Sequence, residues 1–199
     1  MTRTVTFSMM CDALDSVDGI SNAALKKNRR NKLNTLRQAK LIEPYVPEDG
    51  EAEYVKKDLF TFATMVQAGL LLQFAELSIS YSEIDKLNNF VRPQPIGKKY
   101  GDKDKYQTLS PSLSDDRDIL EQVIEKVSNG EAWRLEIVVT RSKNNELAYR
   151  GAYVRNSEES PFATQLISAF DSIRGDRYLE VRQIAVTRLI RDLLAEVGD

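Results

Sequence analysis

The pattern of apolar and polar positions predicts helices in the first half of the chain. Apolar residues at helical spacing indicate a short helix over Ser8–Leu14 and, after a turn at Asp18–Gly19, a second helix. This second helix begins after Ser21 or Asn22, since either side chain can accept the first amide hydrogen bonds, and it runs toward Leu41. A short helix, a turn and a second helix make a helix-turn-helix unit.

A hairpin and two more helices are predicted before residue 93. Short extended pieces at Tyr45–Val46 and Glu53–Val55 flank a turn and predict a small β-hairpin, or wing. A helix from Lys57 or Asp58 carries apolar residues on more than one side, so it is expected to be buried in a core or against a partner. The last of these helices follows the capping box Ser80-Tyr-Ser-Glu83.

The second half of the chain predicts a linker followed by a mixed unit. Residues 93–113 are rich in Pro, Gly and charged residues and have little to bury, which favours a linker over an ordered loop packed on one domain. A helix is expected from Asp115 to Asn129–Gly130. The strands Trp133–Arg141 and Leu147–Arg155 then predict a β-hairpin.

The last part of the chain holds one predicted helix and then a stretch, from Tyr178 onward, that fits two interpretations. An amphipathic helix is expected over Phe162–Ile173, after Pro161. Beyond it, the chain fits either a strand over Tyr178–Val186 with a helix over Thr187–Val197, or one long helix over Tyr178–Val197. The β-branched residues in this stretch favour the strand followed by the helix.

Composition argues against an enzyme. The 199 residues are 42% hydrophobic and 29% charged with a net charge of −2, which is typical of a globular chain with one large domain or two small ones. There is no His, so the Ser-His-Asp triad and the HExxH zinc site are excluded. The single cysteine, Cys11, excludes an intramolecular disulfide and Cys-rich zinc sites. We therefore expect a non-enzymatic binding protein without a cofactor or a metal.

Neither a membrane span nor a secretion signal is predicted. The longest apolar stretch, Ala68–Leu77, is interrupted by Gln73 and Glu76 and is shorter than the roughly 20 residues that cross a bilayer. The first residues lack the apolar core of a signal peptide. The expected location is the cytoplasm.

Three other groups of residues receive structural interpretations. The carboxylates Glu131 and Glu136 flank Trp133 and are interpreted as surface residues. The acidic run from Asp115 to Asp118 is interpreted as helix capping, because it lacks the spacing of a calcium loop. Tyr149 and Tyr153 share one side of the hairpin, where core packing is favoured over stacking on a ligand.

One basic segment predicts binding to nucleic acid. Between Lys26 and Lys40 there are seven Lys or Arg residues and no acid, and Asn and Gln residues lie between them. Lys and Arg neutralise phosphate, Asn and Gln can pair with adenine in the major groove, and Arg can pair with guanine. A solvated helix face is the alternative interpretation, but the absence of acids, the amides and the predicted wing favour double-stranded DNA.

Two segments resemble a known family. The first runs Thr35-Leu-Arg-Gln-Ala-Lys-Leu-Ile-Glu-Pro44, and the second, after a gap, runs Tyr54-Val-Lys-Lys-Asp-Leu59. Together with Ser80-Tyr-Ser-Glu-Ile84, they resemble the DNA-binding domain of MerR-type winged helix-turn-helix regulators over about residues 5–92. The resemblance implies a recognition helix that ends near Pro44, a wing, and a following helix that starts at the Asp58-Leu59 segment.

The resemblance has departures that change what it implies. Gln38-Ala39 stands where the family has an aromatic pair, and the wing carries Glu51 and Glu53. Lys56 and Lys57 are therefore the better candidates for phosphate contacts from the wing. The family's cysteine-bearing effector loop is absent, so metal sensing is not implied, and Cys11 is expected to pack as a small apolar residue.

These observations predict an α+β, mostly helical chain. A winged helix-turn-helix over residues 1–92 and a linker over residues 93–113 precede a small α+β dimerisation or effector domain over residues 114–199. The predicted function is a sequence-specific regulator of transcription whose recognition helix enters the major groove of double-stranded DNA. The alternative is a non-enzymatic adaptor whose basic helix meets an acidic partner.

A homodimer is expected because one helix reads few base pairs, with an interface on Leu70–Leu77 or Leu189–Val197. A small-molecule effector is left open without being indicated. The predicted DNA contacts are Lys26, Lys27, Asn28, Arg29, Arg30, Asn31, Lys32, Asn34, Thr35, Arg37, Tyr54, Lys56 and Lys57.

Overall fold

The computed structural model describes residues 4–45, 58–92, 113, 117–141, 147–160, 162 and 177–198. The chain divides into two compact units, Met1–Asp85 with Leu189–Asp199, and Lys86–Arg188. This division falls inside two helices, whereas the sequence predicts the boundary in the linker at residues 93–113.

Within the described ranges the architecture is α+β and mostly helical, with six helices and two small antiparallel sheets. The elements are β1 Thr4–Thr6, α1 Phe7–Val17, α2 Ala23–Gln38, β2 Leu59–Thr61, α3 Phe62–Glu76, α4 Tyr81–Val91, α5 Ile119–Ser128, β3 Trp133–Arg141, β4 Leu147–Arg155, β5 Arg177–Ile184 and α6 Val186–Val197. None of the described helices is long and apolar enough to cross a membrane.

In the first unit, two short strands each lead directly into a capped helix. β1 pairs antiparallel with β2, and Val5 lies opposite Phe60. Thr6 ends β1 and its hydroxyl accepts the amide hydrogen of Met9, while the hydroxyl of Thr61 accepts that of Thr64. Because Thr6 lies opposite Leu59 and Thr61 lies opposite Thr4, α1 and α3 begin at opposite ends of this short antiparallel pair.

The core of this unit forms around α3. As its apolar pattern predicts, this helix is buried on nearly every side. A Cβ atom at Gly69 would lie 2.9 Å from Leu14 and 3.1 Å from Leu189, so α1 and α6 both approach α3 at this glycine. The predicted dimer interfaces need correction, because most apolar side chains of Leu70–Leu77 and Leu189–Val197 are buried within this chain.

The second unit is built on a three-stranded antiparallel sheet in the order β4-β3-β5. The predicted hairpin of β3 and β4 is confirmed, with Leu135 opposite Tyr153. β5 pairs with the other edge of β3, and the chain then enters α6, so the strand-then-helix interpretation of the last residues is confirmed. Asp118 caps α5 by accepting the amide hydrogen of Glu121 at 3.0 Å.

Both faces of this sheet carry buried side chains. On one face, Trp133, Leu135 and Tyr153 are buried, and the Tyr153 hydroxyl donates to the carbonyl of Val91. The core packing expected for Tyr153 is confirmed, and burial raises the pKa of its phenol. On the other face lies a buried cluster formed by Val138, Ala152, Val154 and Phe162.

Replacing Gly151 with Ala is expected to destabilise the second unit by about 1–3 kcal/mol. A Cβ atom at this position would lie 2.7 Å from both Cβ and Cγ of Phe90. The Phe90 Cβ atom is fixed to its backbone, so rotation of the ring cannot remove the overlap. Urea unfolding followed by fluorescence of Trp133, the only tryptophan of the chain, measures the change. An unchanged midpoint would show that Phe90 does not cover this glycine.

Several predicted element ends differ in the structure. The first helix extends to Phe7–Val17, and the helix expected from Lys57 or Asp58 begins at Phe62, since Leu59–Thr61 pair with β1 instead. The second helix follows its Asn22 cap and ends at Gln38, before Lys40 adopts a positive φ of 57°. The wing beyond Tyr45 and the Phe162–Ile173 helix lie outside the described residues, apart from Phe162 itself.

Candidate nucleic-acid interface

The basic segment forms helix α2, and this helix has one buried and one exposed face. Arg29, Leu33 and Leu36 recur at helical spacing and are buried. Four residues with the spacing i, i+4, i+7 and i+11 lie on the opposite side, which we call the amide stripe. It consists of Lys27, Asn31, Asn34 and Gln38, of which Asn34 is half-buried and the others are exposed.

Basic side chains lie along both edges of the amide stripe. Helical spacing places Lys26, Arg30 and Arg37 on one edge and Lys32 on the other. Lys40 follows just after the helix and is exposed. The exposed face of α2 therefore combines three neutral amides and Lys27 along its middle with positive charges at its sides.

Arg29 is not available to a ligand, so its assignment as a DNA contact is corrected. Its side chain is 7% exposed, and its guanidinium bonds three carboxylates, with 2.8 Å from Nε to Asp15 and further contacts to Asp18 and Glu76. It also donates to the carbonyl of Leu14. A hydrogen bond with Asp18 and the charge of Glu76 outweigh burial and raise the pKa of Arg29. Arg29 thus ties α2 to α1 and α3.

Arg30 and Arg37 combine exposure with contacts inside the chain. Arg30 is exposed and donates to the Ser8 hydroxyl at 2.9 Å. Arg37 is half-exposed, donates to Asp58 at 3.0 Å and lies 4.8 Å above the ring of Phe7. Both side chains can reach a phosphate from the edge of the stripe, but Arg37 must break or share its ion pair with Asp58 to do so.

The other polar side chains of this face, apart from Thr35, have no hydrogen-bond or ion-pair partner among the described residues. Across the described part of the chain, no hydrogen bond or ion pair involves the side chains of Lys26, Lys27, Asn28, Asn31, Lys32, Asn34 or Gln38. Thr35 differs, because its hydroxyl donates to the carbonyl of Asn31 at 3.0 Å and so turns back onto the helix. Tyr54, Lys56 and Lys57, the predicted wing contacts, lie outside the described residues.

Gln38 belongs to the same surface, although it is not among the predicted DNA contacts. Its distance of seven residues from Asn31, two helical turns, was the signal available in the sequence. It is exposed at the last position of α2.

Cys11 lies behind this surface. The thiol is buried in α1, and burial raises its pKa, an effect that the nearby Arg30 guanidinium partly offsets. This placement agrees with the expected role of a small apolar residue. Among the residues that the structure describes, no group of three acidic or sulfur side chains is arranged to hold a metal ion.

Comparisons with models of known protein families, with curated proteins and with solved structures give no match to this chain. The resemblance to MerR-type regulators therefore stays a prediction from the sequence motifs.

Proposed function

We propose that this chain is a sequence-specific regulator that binds double-stranded DNA with the exposed face of α2 in the major groove. The observation that carries the proposal is the distribution of charge on this helix. Its amide stripe is bordered by positive side chains on both edges. A major groove has the complementary arrangement, because base edges line its floor and phosphates border its two sides.

The dimensions of the helix support this placement. An α-helix with its side chains is about 10–12 Å wide, close to the roughly 12 Å width of the major groove. A helix in the groove thus brings both edges near a phosphate backbone. Lys26 and Lys32, which lie on opposite edges, are expected to contact opposite strands.

The packing of α2 supports a recognition role as well. The ion pairs of Arg29 and the burial of Leu33 and Leu36 hold one face of the helix against its own unit. The opposite face is consequently presented in a fixed orientation, which is what base readout requires. A short helix and a turn, α1 and Asp18–Gly19, precede it as in other helix-turn-helix units.

Replacing Lys26 and Lys32 with Gln is expected to weaken duplex binding and to make it less sensitive to salt. Each cation that contacts a phosphate releases about one counterion, so the slope of log affinity against log salt should fall by about two in the double variant. Titration of a random-sequence duplex at several salt concentrations measures both quantities.

The matched control is Lys86→Gln, an exposed lysine on α4. It should leave affinity and slope unchanged. Equal slopes for the wild type and the α2 variant would contradict the proposal. Competition between the duplex and an acidic polypeptide, at equal concentrations of negative charge, tests the adaptor alternative. A DNA-binding surface binds the duplex in preference to the polypeptide, whereas an adaptor does not.

The homodimer remains part of this proposal, since one recognition helix specifies few base pairs. Two copies on one operator would place their helices about 34–36 Å apart, one turn of DNA. A bound site with two inverted half-sites at that spacing is the expected result.

A further inference from the structure

We infer that the half-site is read mainly at adenines, by Asn31 together with Asn34 and Gln38. This inference rests on the proposed function, because it concerns which bases the same surface selects. It follows from the amide side chains along the middle of α2 and from the contacts that hold the arginines elsewhere.

The amide stripe carries the chemistry that recognises adenine. The amide group of Asn or Gln offers one acceptor and donors side by side, and these match N6 and N7 of adenine in the major groove. Asn31 and Gln38 are exposed and have no side-chain partner in the described ranges. Asn31 lies halfway along α2 on this exposed face, so it is the main candidate for base contact.

The arginines, which would select guanine, are placed elsewhere. Arg29 is buried among three carboxylates, and Arg37 is held by Asp58 and by the ring of Phe7. Arg30 lies on the edge of the exposed face and donates to Ser8. Within the stripe, Lys27 is the one residue that fits guanine, and it lies at the amino-terminal end.

The spacing of the amides limits the length of the site that they read. Asn31 and Gln38 are separated by about 10.5 Å along the helix axis, at 1.5 Å per residue. Base pairs follow each other every 3.4 Å or so, so the three amides reach about three to four neighbouring pairs. We therefore expect adenines to cluster within that length, with a guanine tolerated at the end nearest Lys27.

Selection from a pool of random duplexes with the full chain tests this preference. The expected result is a short motif with clustered adenines. Replacing Asn31 with Ala should then weaken binding to the selected duplex by about 5- to 150-fold, the loss of one bidentate pair, and should abolish discrimination at one position. The matched control, Asn89→Ala, removes an exposed amide on α4 that is not among the predicted DNA contacts, and it should leave both affinity and base preference unchanged.

A modified base separates readout from a structural effect of the substitution. 7-Deazaadenine keeps Watson–Crick pairing but lacks the N7 acceptor in the major groove. Placed at the position that Asn31 reads, it should weaken wild-type binding several-fold and leave the Asn31→Ala variant unchanged. Equal losses in both proteins, or a selected motif dominated by guanine, would overturn the inference.

The outcomes also separate this inference from the proposed function. Duplex binding through α2 without an adenine preference would overturn the inference alone. Failure to bind any duplex, or a preference for single-stranded nucleic acid or RNA, would overturn the proposed function and the inference with it.

Discussion

Replacing Arg29 with Ala is expected to lower the free energy of unfolding of the first unit by about 3–5 kcal/mol. The substitution removes the cation that three carboxylates share and leaves Asp15, whose side chain is only 7% exposed, without its charge partner. Asp18 and Glu76 are about one-third exposed, so water screens part of their repulsion. Denaturant unfolding followed by far-ultraviolet circular dichroism measures the loss.

Two further variants test whether this loss of stability comes from the buried ion pairs of Arg29. Lys27→Ala, an exposed position on the same helix, should change stability by less than about 0.5 kcal/mol. Replacing Arg29 with Met and Asp15 with Leu together should recover much of the loss, because an apolar pair of similar volume avoids the cost of burying charge. An Arg29→Ala variant as stable as the wild type would show that this ion cluster does not hold α2 in place.

Replacing Glu136 with Ala is expected to destabilise the second unit by a similar amount, about 3–5 kcal/mol. This carboxylate is fully buried in β3, accepts from Arg134 at 2.7 Å and from Gln183 at 3.1 Å, and bonds the Ser160 hydroxyl. The substitution removes the charge partner of Arg134, whose side chain is 17% exposed, and the acceptor of the Ser160 and Gln183 side chains. Fluorescence of Trp133 during urea unfolding reports the change.

An exposed ion pair provides the control for Glu136. Glu125 pairs with Arg117 at 3.0 Å, and both side chains are more than half exposed. Glu125→Ala should therefore cost less than about 1 kcal/mol. Similar losses in the two variants would show that burial does not distinguish these carboxylates.

The elements predicted correctly are those whose determinants lie close together along the chain. The cap at Asn22, the Ser80–Glu83 capping box and the end of α5 at Asn129–Gly130 each depend on a few neighbouring residues. The hairpin of β3 and β4 is predicted correctly for the same reason, because its two strands are neighbours along the chain. Strand β2 was not predicted, because its three residues are stabilised by β1, more than fifty residues away.

The errors at charged residues have the same origin. The basic segment groups Arg29 with the other cations, although its spacing from Leu33 and Leu36 already indicates the buried face. The sequence does not show that three carboxylates surround Arg29, because Glu76 lies on α3, far along the chain. The expected surface position of Glu136 is wrong for a similar reason, because Ser160 and Gln183 come from distant segments.

The central claim, that the exposed face of α2 contacts a duplex, is tested most directly by protection of a thiol placed on it. In a Cys11→Ala background, the Asn31→Cys variant is alkylated with and without a saturating random-sequence duplex at low salt, alongside Lys86→Cys on α4. We predict that the duplex slows modification at position 31 and leaves position 86 unchanged. Equal rates at position 31 with and without bound duplex would contradict the account.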